Sequence, residues 1–231
     1  MTRSRLLRQG HKVFGVGLGG PDLHMDFCGG VTQEKYIFDL AEQAFGTPAQ
    51  VLINNAGLTH IDFLENHSNA DFIRIINANL LWPFALCREF VCRTKKAKAA
   101  GGQPTDELHR IINVTSIAAL TAHRGSPGYC ASKSGLESLT RVIARETAGT
   151  GIVAFSLGPN GIEGTQMLEE VISGVQRTRG MTREQVLAYN FKSPLGRNCH
   201  IDEVWKMIDF LVNQAPEYCT GHAFYMPGGQ F

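Results

Sequence analysis

The sequence predicts an α/β fold, a doubly wound parallel sheet with helices on both faces. Three observations carry that expectation. Short apolar runs recur at Val51-Leu52-Ile53, Ile111-Ile112 with Val114, and Ile152–Leu157, as strands buried on both faces require. Longer segments between them return apolar residues at helical spacing. Ser116 leaves the end of one run just ahead of a helix, where open α/β sheets place their ligands.

At 231 residues, one domain over 1–231 with a sizeable core is the expected organisation. A net charge of +1 gives no electrostatic case for a nucleic acid or an anionic membrane as partner. No apolar run is long enough to span a bilayer, and the basic start lacks the apolar segment of a secretory signal. The six cysteines form no Cys-x-x-Cys pair and no metal-ligand spacing with histidine, so free thiols, no metal and a cytoplasmic location are expected.

In chain order, residues 2–9 read as the end of an amphipathic helix carrying Leu6 and Leu7, with Gly10 as its stop. Lys12–Leu18 reads as a strand. Gly15, Gly17 and Gly20 satisfy G-x-G-x-x-G, but that fingerprint needs a helix directly behind it. The adjoining segment, Pro21–Phe27, reads instead as a second short strand, and the next helix runs from about Thr32 to Phe45 through Tyr36, Ile37, Leu40 and Ala44. The glycines are therefore taken as permissive positions at a strand end.

Val51–Gly57 is a strand and its turn, in which Asn54 can brace neighbouring strands by side-chain hydrogen bonds. Residues 69–92 are helical in pattern, with Phe72, Ile73, Ile76, Leu80, Phe84 and Leu86 at core positions and Asn79 among them. Thr94–Lys98 is a basic helix end, read as a solvated face, running into a loop over residues 99–104. The run at Ile111–Val114 leads through a loop with Gly125, Pro127 and Gly128 into a helix with Ala131, Leu136, Leu139, Val142 and Ile143 as apolar positions. Gly151–Leu157 is a strand, and residues 166–192 form a polar-apolar helical insert that includes Met167, Leu168, Val171, Ile172, Val175, Val186, Leu187 and Tyr189. Ser193–Arg197 precedes a helix over 201–213, and Thr220–Met226 is a last strand in which His222 and Tyr225 serve as strand residues.

Tyr129 and Lys133 stand four residues apart at the start of one helix and so share a face. A phenol beside an ammonium ion is a tunable acid, because the positive charge favours the phenolate. The dyad alone is a weak signal. The ordered set is specific: Asn54-Asn55-Ala56-Gly57, Asn79, Ser116 thirteen residues before Tyr129, Lys133, then Pro159, Gly161 and Thr165, and Gly228-Gly229 near the end. This set resembles the short-chain dehydrogenase/reductase family over nearly the whole chain.

That resemblance implies a Rossmann-like sheet of strand order 3-2-1-4-5-6-7 and an NAD(P)-dependent oxidoreductase acting on a small alcohol or carbonyl substrate. It implies catalytic roles for Asn79, Ser116, Tyr129 and Lys133. It places Asp26, Asn54, Ala56, Gly57, Tyr129, Lys133, Pro159, Gly161, Ile162 and Thr165 at the cofactor, and makes residues 166–192 a substrate lid. Thr165 follows Pro159 by six residues, with Asn160 in the usual glycine place, which resembles the Pro-Gly-Pro-Ile-x-Gly-Thr variant of dienoyl-CoA reductase relatives. The cofactor is NAD or NADP: Gly17-Leu18-Gly19 offers neither an acid for a ribose hydroxyl nor an arginine for a phosphate. A homodimer or homotetramer is implied by resemblance alone.

The family's first strand and its T-G-x-x-x-G-x-G turn have no counterpart in these 231 residues. Without that strand, two rows of backbone groups would face each other unpaired unless the sheet closes up or something fills the slot. Three readings stand: a shortened chain or late start, which is favoured, a repacked sheet, or a relative that has lost its chemistry. The competing class is a non-catalytic binding or assembly protein built on the same fold.

Overall fold

A computed structural model describes residues 2–18, 20–100, 108–190 and 193–231. Gly19 and most of the expected loop after Lys98 lie outside the described residues, as does the side chain of Tyr189.

The chain opens with α1 (Thr2–Arg8), then β1 (Val16–Gly17) and β2 (Leu23–His24), and α2 (Glu34–Phe45) leads to β3 (Val51–Asn54). Helix α3 (Asn69–Ile76) passes through a π-helical turn (Asn77–Leu81) into α4 (Trp82–Ala99). Beyond it come β4 (His109–Val114), α5 (Ala118–Thr121), α6 (Pro127–Glu146) and β5 (Ile152–Pro159). The remaining elements are α7 (Gln166–Arg179), α8 (Arg183–Asn190), α9 (Ile201–Asn213) and β6 (Ala223–Met226).

All strand pairs are parallel, in two separate sheets ordered β1-β2 and β3-β4-β5-β6. Residues of β4 and β5 alternate between the two faces. Ile111, Ile152 and Ala154 pack with Phe38 of α2, Trp82 and Phe90 of α4 and Ile143 of α6. Ile112, Val153, Phe155 and Leu157 pack with Leu6 of α1 and Val204, Ile208 and Leu211 of α9. Helices thus cover both faces, as the apolar runs predict. A third cluster, Ile61 with Leu168, Ile172, Val175 and Val186, joins the α7–α8 pair to the loop after β3.

Several elements differ from expectation. The first two strands shrink to two residues each. A strand gains its length from ladders on both edges, and β1 pairs with β2 alone among the described residues. The expected continuous helix over 69–92 runs on to Ala99 and carries the π turn, closed by the Trp82 N–H on the Asn77 carbonyl. A π turn inserts one residue into the helical repeat, so the apolar stripe changes phase. Phe72, Ile73 and Phe84 are exposed, and Ile75, Ala78, Trp82, Ala85 and Phe90 hold the core. In α2, Tyr36 is exposed and Ile37, Phe38 and Ala41 are buried. Helix α6 begins at Pro127 and buries a polar face, Ser132, Lys133, Glu137 and Thr140 beside Leu136 and Ile143, whereas Ala131 and Val142 point to solvent. The insert is two helices, parted at Gly180, whose φ of 63° suits glycine.

Gly17 ends β1, its carbonyl accepts the Gly20 N–H at 2.9 Å, and the next element is β2. The glycine fingerprint therefore has no helix behind it, as read from the sequence. The basic end of α4 is partly tied down: Lys98 Nζ donates to the Thr150 carbonyl at 2.6 Å.

Candidate active site

The carboxyl ends of β3, β4 and β5 and the first turns of α6 and α7 converge on Tyr129 and Lys133. Ser116 follows β4, and its Oγ accepts the Ala118 N–H at 3.1 Å, which turns the chain into α5. The Tyr129 phenol is half-buried, and burial pushes it above its ordinary pKa; the nearby Ser116 hydroxyl works against this, and Cys130 next to it adds to the rise.

Lys133 is buried one helical turn on, and its Nζ donates to the Val114 carbonyl at 2.8 Å. The ammonium lies 5.7 Å from the centre of the Tyr129 ring. Burial pulls its pKa down to about 8. Burial of the phenol thus sets the direction of the Tyr129 shift, while the ammonium sits against the Val114 carbonyl.

The lysine has a measurable consequence. Its pKa falls from 10.5 in the unfolded chain to about 8 in the folded one. Above 10.5 both states are neutral and folding carries no penalty. As pH falls from there to about 8 the unfolded state alone takes up the proton, so stability drops, by about 3 kcal/mol at ~1.4 kcal/mol per unit. Urea unfolding of the Lys133→Met variant is expected to lack this loss between pH 10 and pH 7.5. A variant that keeps the wild-type slope would place the titration elsewhere.

Asn79 is fully buried inside the π turn, a distortion that often marks functional positions. Its Oδ1 accepts the Leu58 N–H at 2.8 Å, and its Nδ2 donates to the Leu58 carbonyl at 2.9 Å and to Ser132 Oγ at 3.0 Å. The side chain thereby fixes the turn after β3. Gly57 in that turn lies over the lysine, where an added Cβ would stand 3.4 Å from both Lys133 Nζ and Asn79 Oδ1.

Asn54 is buried and braces the sheet. Its Nδ2 donates to Asn113 Oδ1 at 2.8 Å, and Asn113 Nδ2 donates to Thr140 Oγ1 at 2.9 Å, a polar chain from β3 through β4 to α6. Asn113→Ala leaves both partners short of a bond in the core and is expected to cost about 2–4 kcal/mol in urea denaturation. A loss under about 0.5 kcal/mol would show that the chain is dispensable.

The other expected cofactor residues divide. Pro159 ends β5, where its carbonyl accepts the Ile117 N–H at 3.2 Å, and Ile162 bridges to Cys199. The Gly161 carbonyl accepts the Cys199 N–H at 3.0 Å. Thr165 caps α7: its hydroxyl donates to the Ile162 carbonyl and accepts the Leu168 N–H. Ala56 is exposed beside Gly57. Asp26 stands apart on the smaller sheet, an exposed carboxylate held below its usual pKa by hydrogen bonds from Cys28.

Two contacts escaped sequence reasoning. Met167, in the first turn of α7, brings Sδ to 3.9 Å from the Tyr129 hydroxyl and its methyl towards Gly57. Its place two residues after Thr165 was the available signal. Ser132 supports Asn79, which no spacing argument foretells because the two meet across elements.

The fold is a Rossmann-like α/β fold of parallel strands, with Ser116 just after the end of β4 and Tyr129 and Lys133 in the first turns of α6. The family model for short chain dehydrogenases matches residues 25–176. The chain belongs to this family of NAD(P)-dependent dehydrogenases and reductases. It is 30% identical over 200 residues to an NADPH-dependent aldehyde reductase-like protein of Arabidopsis thaliana, covering 86% of this chain and 67% of that protein. It is 31% identical over 179 residues to a 3-oxoacyl-[acyl-carrier-protein] reductase of Rickettsia bellii, covering 78% of this chain and 66% of the relative. The chain thus spans about two thirds of the length of these relatives. Sorbitol-6-phosphate 2-dehydrogenase from Erwinia amylovora superposes with a TM-score of 0.84 at 24% identity, over 100% of this chain and 94% of that one.

Proposed function

We propose that this chain, as one domain over 1–231, is an oxidoreductase that interconverts an alcohol and a carbonyl with NAD or NADP. The observation that carries the reading is the meeting of Ser116, Tyr129 and Lys133 beneath the Gly57 turn. A nicotinamide cofactor supplies a hydride acceptor or donor when bound.

The residues fit such a group at one end. Lys133 keeps ammonium donors beyond the one spent on Val114, directly under a glycine that leaves room for a close approach. Lys133 would hold a ribose there, and Asp26, Asn54, Ala56, Gly57, Tyr129, Pro159, Gly161, Ile162 and Thr165 are the other residues that would hold the cofactor. At the diphosphate end the fit is poor, because the described residues present no glycine turn with a helix directly behind it.

Tyr129 gives or takes the substrate hydroxyl proton as general acid and base. Its raised pKa keeps it a proton donor at neutral pH, suited to carbonyl reduction. Ser116 holds the substrate oxygen against the phenol. Asn79, whose amide is held by Leu58 and Ser132, would hold a water that links Lys133 to solvent as a proton relay. Met167 makes α7 the wall of the substrate pocket, and an apolar substrate suits that wall. The exposed Leu81, Phe84 and Val142 support a homodimer or homotetramer. The location proposed is cytoplasmic; no helix of the described residues is long and apolar enough to cross a membrane.

A second reading, a non-catalytic binding or assembly protein, is favoured by the poor diphosphate end. Titration of the chain with NADH and NADPH, followed by nicotinamide fluorescence alongside a thermal melt, decides. Saturable binding is expected, and the tighter nucleotide sets the cofactor. A folded chain that binds neither refutes the redox reading.

A further inference from the structure

Glu137 is a buried carboxylate on the inner face of α6, one helical turn past Lys133, as Lys133 is one turn past Tyr129. Arg141 Nη1, a further turn on, donates to its Oε1 at 2.7 Å. Its Oε2 accepts the hydroxyl of Tyr225, which reaches across from β6. Burial and the hydrogen bond to Glu137 both push the Tyr225 pKa up, so this phenol stays a donor.

The Tyr225 ring has its place because β5 carries a glycine beside it. Tyr225 pairs with Gly158, where an added Cβ would stand 2.5 Å from the ring at Cδ1 and 2.8 Å from it at Cε1. The Gly158 backbone is not left-handed, so room for the ring requires the glycine and φ does not. At the same level β5 holds the Ser116 segment: the Thr115 N–H donates to the Leu157 carbonyl at 2.7 Å and the Ile117 N–H to the Pro159 carbonyl at 3.2 Å. Tyr225 therefore rests on β5 where β5 holds Ser116, and reaches α6 one turn behind Lys133.

We propose that Tyr225 and Glu137 are a positioning pair, which stops α6 from rolling on the sheet and so holds Tyr129 and Lys133 in register with Ser116. Lys133 and Thr140 also tie α6 to the sheet, both through β4, by way of the Val114 carbonyl and Asn113. Two ties to one strand leave the helix free to roll about the line through them. The Glu137–Tyr225 bond lies off that line, on β6, with β5 between. A roll of ~10° moves a side-chain tip by about 1 Å at the radius of a helix, and a misplacement of that size can cost up to about 10²-fold in rate.

The kinetic consequence rests on the redox reading; the placement of Lys133 does not, and the test reads both. Tyr225→Phe removes the bond and keeps the ring. Glu137→Gln keeps an acceptor oxygen for the phenol and removes the charge. NMR titration of the lysine ε-carbons singles out Lys133 by its midpoint of about 8 and needs no turnover. In Tyr225→Phe that midpoint is expected to rise by about one unit towards the ordinary 10.5, because a rolling helix admits water to the ammonium. There kcat should fall about tenfold, with KM and nucleotide affinity within about threefold of wild type. Glu137→Gln should keep the wild-type midpoint and kcat. A folded Tyr225→Phe chain with the wild-type midpoint or an undiminished kcat overturns the proposal. A lowered midpoint in Glu137→Gln also overturns it, since direct attraction between the carboxylate and Lys133 would then be the link. A wild-type chain that binds no nucleotide refutes the redox reading alone, and the Lys133 midpoint still decides the role of the pair.

Discussion

Replacing Tyr129 with phenylalanine is expected to lower kcat by roughly 10²–10⁴-fold, the usual contribution of a positioned acid or base. The loss is chemical and not structural. The ring is half-buried at the start of α6, and its hydroxyl donates to the Met167 sulfur at 3.9 Å, so removing the oxygen leaves no core donor stranded. Unfolding free energy should change by less than about 1 kcal/mol. Steady-state turnover with the nucleotide chosen by the binding titration, measured beside a urea curve, separates the two effects. Nucleotide affinity should stay within a few-fold of wild type, because ribose binding falls to Lys133. A Tyr129→Phe variant with undiminished kcat would remove the phenol from the mechanism.

The second large effect is structural first and functional as a result. Asn79 makes three hydrogen bonds at full burial, two of them to the backbone of Leu58. Asn79→Ala strands the Leu58 N–H and carbonyl at once and removes the donor to Ser132 Oγ, whose hydroxyl stays bonded to the Tyr129 carbonyl, and is expected to cost about 2–5 kcal/mol. The Gly57 turn would loosen over Lys133, so nucleotide affinity should fall along with stability. Asn79→Asp provides the contrast: it keeps an acceptor for the Leu58 N–H and loses the amide donors, so it should recover part of the stability. Differential scanning calorimetry and the fluorescence titration read both quantities. Wild-type melting in Asn79→Ala would mean that the π turn holds the site without its amide.

Much of this was legible in the residues. The apolar runs at Val51, Ile111 and Ile152 became β3, β4 and β5 because strands covered on both faces need unbroken apolar stretches. The Ser116, Tyr129 and Lys133 set was legible because local geometry brings it together: one helix carries two members and the preceding strand end supplies the third. Helix phase was not legible where periodicity is interrupted. The π turn at Asn77–Leu81 shifts the stripe, so Phe72 and Phe84 face solvent and Ile75 and Trp82 take the core, and no apolar pattern announces the inserted residue. The polar inner face of α6 was hidden for a similar reason, since Asn113 and Thr140 satisfy each other only across elements.

The sequence alone determined the family, the parallel α/β class and the residues of the candidate site, because these depend on residue types at short separations. Only the tertiary structure decided the electrostatics and the state of the sheet. Burial of the phenol sets the direction of the Tyr129 shift, a matter of surroundings that spacing cannot express. Likewise, whether β1 and β3 pair or stand apart could not be read from the order of the elements. They stand apart, because helices packed on both faces hold β1 and β3 around a cavity of about 700 Å³.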